Sequence, residues 1–270
     1  MQQFTGPIKK LVSHLSEPIT YSLPVGDENI ALNPLIGRKI SLAYQLEIYC
    51  VQCNRKTTKS FQQGYCYPCY RKLMDCNLCI IHPEKCNYPK NECPDTWEHE
   101  HCKQDHIIYL ANSSGLKIGI TRSTQLPTRW IDQGASQAIP LFKVSNRYHS
   151  GVVETLFKKY IADKTNWRKM LSVGITTFDM IAVKEELLQK AQHDLHDLST
   201  EHPQIEWLND PGITLSYPVH QYPPKLTALS LDKSPEITAH LLGIKGQYLL
   251  LDCGVINIRK HSGYKVTVTV

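Results

Sequence analysis

Nine of the ten cysteines fall between Cys50 and Cys102, and this clustering constrains the fold more than any other feature of the chain. The first four read Cys50-x2-Cys53-x12-Cys66-x2-Cys69. Each pair can present two thiolates from one tight turn, and the spacer is long enough for a short hairpin that closes a tetrahedron around one ion. Gly64 precedes the second pair, where such a turn needs a permissive residue. A second run follows at once: Cys76-x2-Cys79, then Cys86, Cys93 and Cys102, with His82, His99, His101 and His106 interspersed. Two structural Zn²⁺ sites are expected. Cys76 and Cys79 belong to the second, whose other ligands come from Cys86, Cys93, Cys102 and the histidines. Spacing does not choose among these, and a cross-braced pairing stays open.

Disulfides and an iron–sulfur cluster are the alternatives for so many thiols. The N-terminal run MQQFTGPIKKLVSHL has no apolar core before a small-residue cleavage site, so a cytoplasmic protein with reduced thiols is expected. The longest apolar runs, such as Tyr248–Leu251 and 255–258, are of strand length, so no membrane partner is expected. The formal charge is +5. Eight thiolates with two zinc ions contribute about −4, which leaves roughly +1. Global basicity therefore does not argue for a polyanionic partner, and local placement of charge has to.

A site closed by four cysteines has no open coordination position, so it stabilises a fold rather than performing chemistry. Around the knuckles lie Arg55, Lys56, Lys59, Phe61, Arg71 and Lys72, with Tyr65, Tyr67 and Tyr70. Cations interleaved with aromatics suit phosphate contact and base stacking. The same aromatics could equally fill a small core.

From Asp105 the pattern changes. HIIYLA over 106–111 and LKIGIT over 116–121 are strand-like runs around the turn residues NSSG, which predicts a β-hairpin. Gly119 inside the second strand points to close approach by another backbone or a ligand. After Arg122, the run Thr128-Arg129-Trp130-Ile131 opens a helix, and residues 151–160 show helical apolar spacing at Val153, Leu156, Phe157 and Tyr160.

The run Ile107-Ile108-Tyr109, then Lys117-Ile118-Gly119-Ile120-Thr121, then Arg129, resembles the opening of a GIY-YIG nuclease domain over about residues 105–170. In that family a hairpin carries the two name-giving motifs, an arginine follows on the first helix, and a glutamate on a later helix holds a divalent metal. The resemblance implies that Tyr109 positions or deprotonates an attacking water. It further implies that Arg129 stabilises charge on the scissile phosphate and that Glu154 ligates Mg²⁺ or a similar cation. Two positions depart from the pattern. Ile107 stands where the first motif has glycine, and Lys117 stands where the second has tyrosine, offering phosphate a point charge instead of a phenol.

The runs GYCYPCY, HPEKC, YLANSSGLKIGITR, PTRWIDQGA, DKTNWRKML (from Asp163) and GIKGQYLLLDCGVINIR resemble an uncharacterised bacterial family that joins a cysteine-rich module to a GIY-YIG-like segment. Asn87 follows Cys86 where that family typically has histidine. Arg122, Trp130, Asn166 and Arg168 join Arg55, Lys56 and Lys59 as candidate nucleic-acid contacts, and Asp132, Gln133 and Trp167 lie in the same runs.

The expected fold is α+β, with a β-rich domain built from both chain ends. It comprises an N-terminal β segment over 1–49, a zinc-ribbon-like module over 50–104, a GIY-YIG-like mixed domain with a following helix over 105–202, and a β-rich C-terminal domain over 203–270. Residues 183–198 form one amphipathic helix in this scheme, Pro203 and Pro211 punctuate the link beyond it, and Cys253 is a core residue. The expected function is nucleic-acid binding, on DNA or RNA, with metal-dependent phosphodiester cleavage. The alternative is a scaffold for nucleic acid or protein that keeps the fold and does not cut.

Overall fold

The computed structural model describes residues 2–86, 93, 95–161, 166–172, 176–201 and 204–270, so Asn87, Asp163 and Pro203 lie outside the described residues. The fold is mixed α+β with several sheets. The chain divides into two units. One contains Met1–Leu73, Leu171–Val173 and Ser216–Val270; the other contains Met74–Met170 and Gly174–Leu215. The division falls inside the cysteine window, between Leu73 and Met74. No helix among the described residues is long and apolar enough to cross a membrane.

The first unit is β-rich. Its first strand, Gln3–Pro7, pairs antiparallel with the last, Tyr264–Thr269, which pairs in turn with the long strand Lys39–Tyr49. Glu236–Lys245 flanks that strand on its other side. Alternation along this strand gives the sheet one wet face, with Ile237, Ala239 and Leu241 buried and Glu236, Thr238 and His240 exposed. Gly263, at φ +88°, lets the Tyr264 strand enter where a Cβ would stand 2.2 Å from the Tyr49 carbonyl oxygen. Tyr49 is thereby fixed immediately before the first cysteine. Cys253 is exposed, contrary to the core position expected. The apolar run splits into two strands, Tyr248–Leu251 and Gly254–Asn257, and Cys253 sits in the turn between them.

The second unit is built on His106–Asn112, buried at every position. Leu116–Arg122 and Gln137–Val144 flank it antiparallel, and Glu206–Trp207 and Ile213–Thr214 extend the sheet beyond Gln137–Val144. Ile108, Leu110 and Ile118 point to one face, where they pack with Val153 and Phe157 of the helix Arg147–Phe157. The expected helix over 183–198 is two, Met180–Lys190 and Gln192–Glu201, broken at Ala191. Leu187, Ala191, Leu195 and Leu198 still share the buried core, so the apolar stripe survives the break.

The turn Pro83–Lys85 lies against Arg147–Phe157 at Gly151, where a Cβ would stand 2.5 Å from the Glu84 backbone nitrogen and 2.7 Å from Pro83 Cβ. In a free helix, glycine to alanine gains about 1 kcal/mol. Here backbone blocks the methyl group, and overpacking of this kind costs about 1–3 kcal/mol. Gly151→Ala is therefore expected to lower stability in denaturant unfolding. A more stable variant would contradict the packing described.

Candidate metal centre and the Tyr109 cluster

The ligand atoms of Cys50, Cys53, Cys66 and Cys69 all lie within 4.8 Å of one another. Backbone geometry gathers them. Asn54 takes a left-handed conformation (φ +54°) as its amide bonds the Cys50 carbonyl at 2.9 Å, which closes the first knuckle. Phe61 and Tyr65 exchange backbone hydrogen bonds at 2.8 and 2.9 Å, turning the chain back. Gly64 occupies φ +137° at that turn, where a Cβ would stand 2.6 Å from Val51 Cγ1. Cys66 then caps the helix Tyr67–Lys72, which places Cys69 on its first turn.

The thiols carry opposed electrostatics. Burial disfavours ionisation of Cys50, but the backbone N–H groups of Cys66, Cys53 and Gln52 outweigh it and lower the thiol to about 6. Cys69 is pushed up to about 12, by burial first and then by the neighbouring thiols of Cys66, Cys53 and Cys50. One thiolate forms readily and the later ones are opposed by its charge, an opposition that a divalent cation removes. The cluster can hold a metal ion, and four sulfur donors in this spacing are compatible with zinc.

Beside this centre Phe61, Tyr67 and Tyr70 form a ring cluster with centroids 5.4, 5.6 and 6.5 Å apart. Tyr67 is 52% exposed and Tyr70 37%. Lys59 Nζ lies 5.3 Å from the Phe61 centroid, and Arg55, Arg71 and Lys72 are exposed. Lys56 is committed differently. Glu47 holds it at 2.6 Å and Lys265 at 2.9 Å, and the two ammonium groups, with the Tyr49 hydroxyl, keep the Glu47 carboxyl down at about 2.

In the second unit Cys79, Cys86, Cys93 and Cys102 line one cavity of about 340 Å³, which Cys76 and the histidines do not line. His82 instead meets Glu84 at 3.2 Å, His101 stacks on Trp97 with centroids 4.6 Å apart, and His106 is buried with Nδ1 2.7 Å from the Gln104 carbonyl oxygen.

Tyr109 lies over Gly119, its cross-strand partner, where a Cβ would stand 2.7 Å from the tyrosine hydroxyl. The close approach at this glycine is made by an aromatic side chain, not by the backbone or ligand expected, because the cross-strand tyrosine folds its ring over the bare Cα. Gln133 donates to that hydroxyl at 3.2 Å, and the Trp130 ring sits edge-on with centroids 5.9 Å apart. Tyr109 is 1% exposed. Burial raises its phenol above the ordinary range, the Arg129 guanidinium partly offsets this, and the Glu154 carboxylate adds to the rise. Arg129 and Glu154 therefore both act on Tyr109. Lys117, two residues before Gly119, leaves the strand on the same face. Glu154 meets Lys158 at 3.1 Å.

Trp130 and Asn166 are both engaged within the fold. Trp130 is buried, so its ring belongs to the core of this unit and is not presented for stacking. Asn166 uses its side-chain oxygen on the amides of Arg168 and Lys169, at 3.0 and 3.2 Å. Arg168 lies 4.4 Å from the Trp167 centroid, and Arg122 donates to the Glu100 carbonyl at 3.2 Å. Sequence reasoning missed Arg147, whose role depends on partners distant in the chain, and the hold of Gln133 on Tyr109.

Cys66→Ser is expected to remove about one zinc equivalent per chain and to open residues 50–73 to protease, because metal binding supplies the folding energy of such a knuckle. Elemental analysis with limited proteolysis and mass mapping checks this. Undiminished zinc, or unchanged protection, would contradict it.

Comparison with curated proteins and with solved structures gave no match. Residues 37–266 match the model of a family described as "Protein of unknown function (DUF2797)". That span takes in most of the chain, both the four-cysteine cluster and the Tyr109 hairpin, and the chain belongs to this family.

Proposed function

We propose that this chain is a zinc-containing nucleic-acid-binding protein whose grip is the aromatic and basic surface beside the Cys50, Cys53, Cys66 and Cys69 centre. The observation that carries the proposal is the exposure of Tyr67 and Tyr70 within a stacked ring cluster, flanked by Lys59, Arg55, Arg71 and Lys72. Exposed rings offer sequence-tolerant stacking to unpaired bases, and the cations track phosphates. Single-stranded DNA or RNA is the ligand class that this combination fits. Zinc, by closing the knuckles, holds the rings at fixed spacing.

A second reading is metal-dependent cleavage in the manner of the GIY-YIG family, and the action of both Arg129 and Glu154 on Tyr109 supports it. In that scheme Glu154 would hold Mg²⁺ and Arg129 would meet the phosphate. The burial of Tyr109 weighs against its service as a base, because a raised, enclosed phenol neither ionises easily nor meets water. Binding without cutting is accordingly the favoured form.

Fluorescence anisotropy with labelled single-stranded and duplex DNA and RNA tests the grip. Tyr67→Ala and Tyr70→Ala are each expected to weaken single-strand binding by about 1–3 kcal/mol. The slope of log K against log salt is expected at about −2 to −3, from three or four phosphate contacts, and Lys59→Gln should reduce it by about 0.7. Equal affinity of wild type and both tyrosine variants would remove the proposal. The same panel with Mg²⁺, run beside Glu154→Ala and Arg129→Ala, reads cleavage separately. Cutting by wild type that both variants lose would establish the second reading.

A further inference from the structure

We propose that Cys79, Cys86, Cys93 and Cys102 ligate a second zinc ion, with Arg147 as the charge partner of the site and Cys76 outside it. The four cysteines line one cavity of about 340 Å³, and Arg147 lines it with them. Arg147 is tied to both ends of the ligand set. Its amide donates to the Cys102 carbonyl at 2.9 Å. Its guanidinium donates to the Ile80 carbonyl at 2.7 Å and, through Nε, to the Cys79 carbonyl at 3.4 Å. One arginine therefore braces two cysteines far apart in sequence around a shared space.

The charges of the site are complementary. Four thiolates around one divalent ion leave about two negative charges, and a neighbouring cation offsets part of that. Arg147, half-buried in the cavity wall, is placed to do so.

The Cys76-x2-Cys79 spacing suggests a two-cysteine knuckle, but of the two only Cys79 lines the cavity. Cys76 ends one 3-10 turn, Met74–Cys76, and Asn77 caps the next, Leu78–Ile80, accepting from the Cys79 amide at 3.4 Å. The four proposed ligands are spaced by six, six and eight residues. Iron–sulfur clusters use shorter runs, which favours a single zinc ion. The site would pin the start of the helix Arg147–Phe157, on which Glu154 lies. None of this depends on whether the chain binds nucleic acid.

The test uses the full chain as purified. Elemental analysis should find about two zinc ions in wild type, about one in Cys79→Ser and Cys102→Ser, and still two in Cys76→Ser. Alkylation of the native wild-type chain, mapped by mass spectrometry, avoids reliance on variants that fold poorly. Cys76 and the exposed Cys253 should label at once, and Cys79, Cys86, Cys93 and Cys102 only after chelation. Arg147→Met should speed loss of one zinc to chelator by about tenfold or more, and Arg147→Lys by less. A wild-type chain that binds one ion, protection of Cys76 in place of Cys79, or iron with labile sulfide in place of the second zinc would overturn the proposal.

Discussion

Four sulfur atoms drawn within 4.8 Å of one another are the constraint on which residues 50–73 depend. This stretch has little core of its own. Cys50, Gly64 and Cys66 are buried, while most of its other residues are exposed or half-buried. Hydrophobic burial therefore cannot fix it. Mutual repulsion of thiolates would spread the knuckles, and a bound cation reverses the sign of that interaction. Bound there, a metal ion would turn a polar loop into a fixed mount for Phe61, Tyr67 and Tyr70.

Burial also decides what each aromatic can do. Tyr67 and Tyr70 face solvent, while Tyr109 and Trp130 pack against each other beneath the surface of the other unit. Residue type alone does not separate these roles, since a strand tyrosine and a knuckle tyrosine carry the same ring. The cations sort in the same way. Lys56 is drawn to Glu47, whereas Arg55, Arg71 and Lys72 remain at the surface.

Much of this was legible in the sequence where the signal is local. The Cys50 to Cys69 spacing carries a complete ligand set, and the two strand-like runs of 106–121 with the turn between them carry a hairpin, because run length and turn chemistry act over a few residues. The helix stripe at Leu187, Ala191, Leu195 and Leu198 was equally readable, although the break at Ala191 was not. The rest required partners remote in sequence. Arg147 meets Cys79 across 68 residues, and Gln133 meets Tyr109 across 24. Cys253 misled because an apolar run reads as one strand until the two-residue turn within it is seen.

The proposed ligation of zinc by thiolates at both cysteine groups is open to zinc-edge X-ray absorption on the full chain. Such ligation gives a first shell of four sulfur atoms at about 2.3 Å and no nitrogen or oxygen scatterers. A shell containing nitrogen or oxygen at about 2.0–2.1 Å would contradict it, because histidine or water would then hold a position assigned to cysteine.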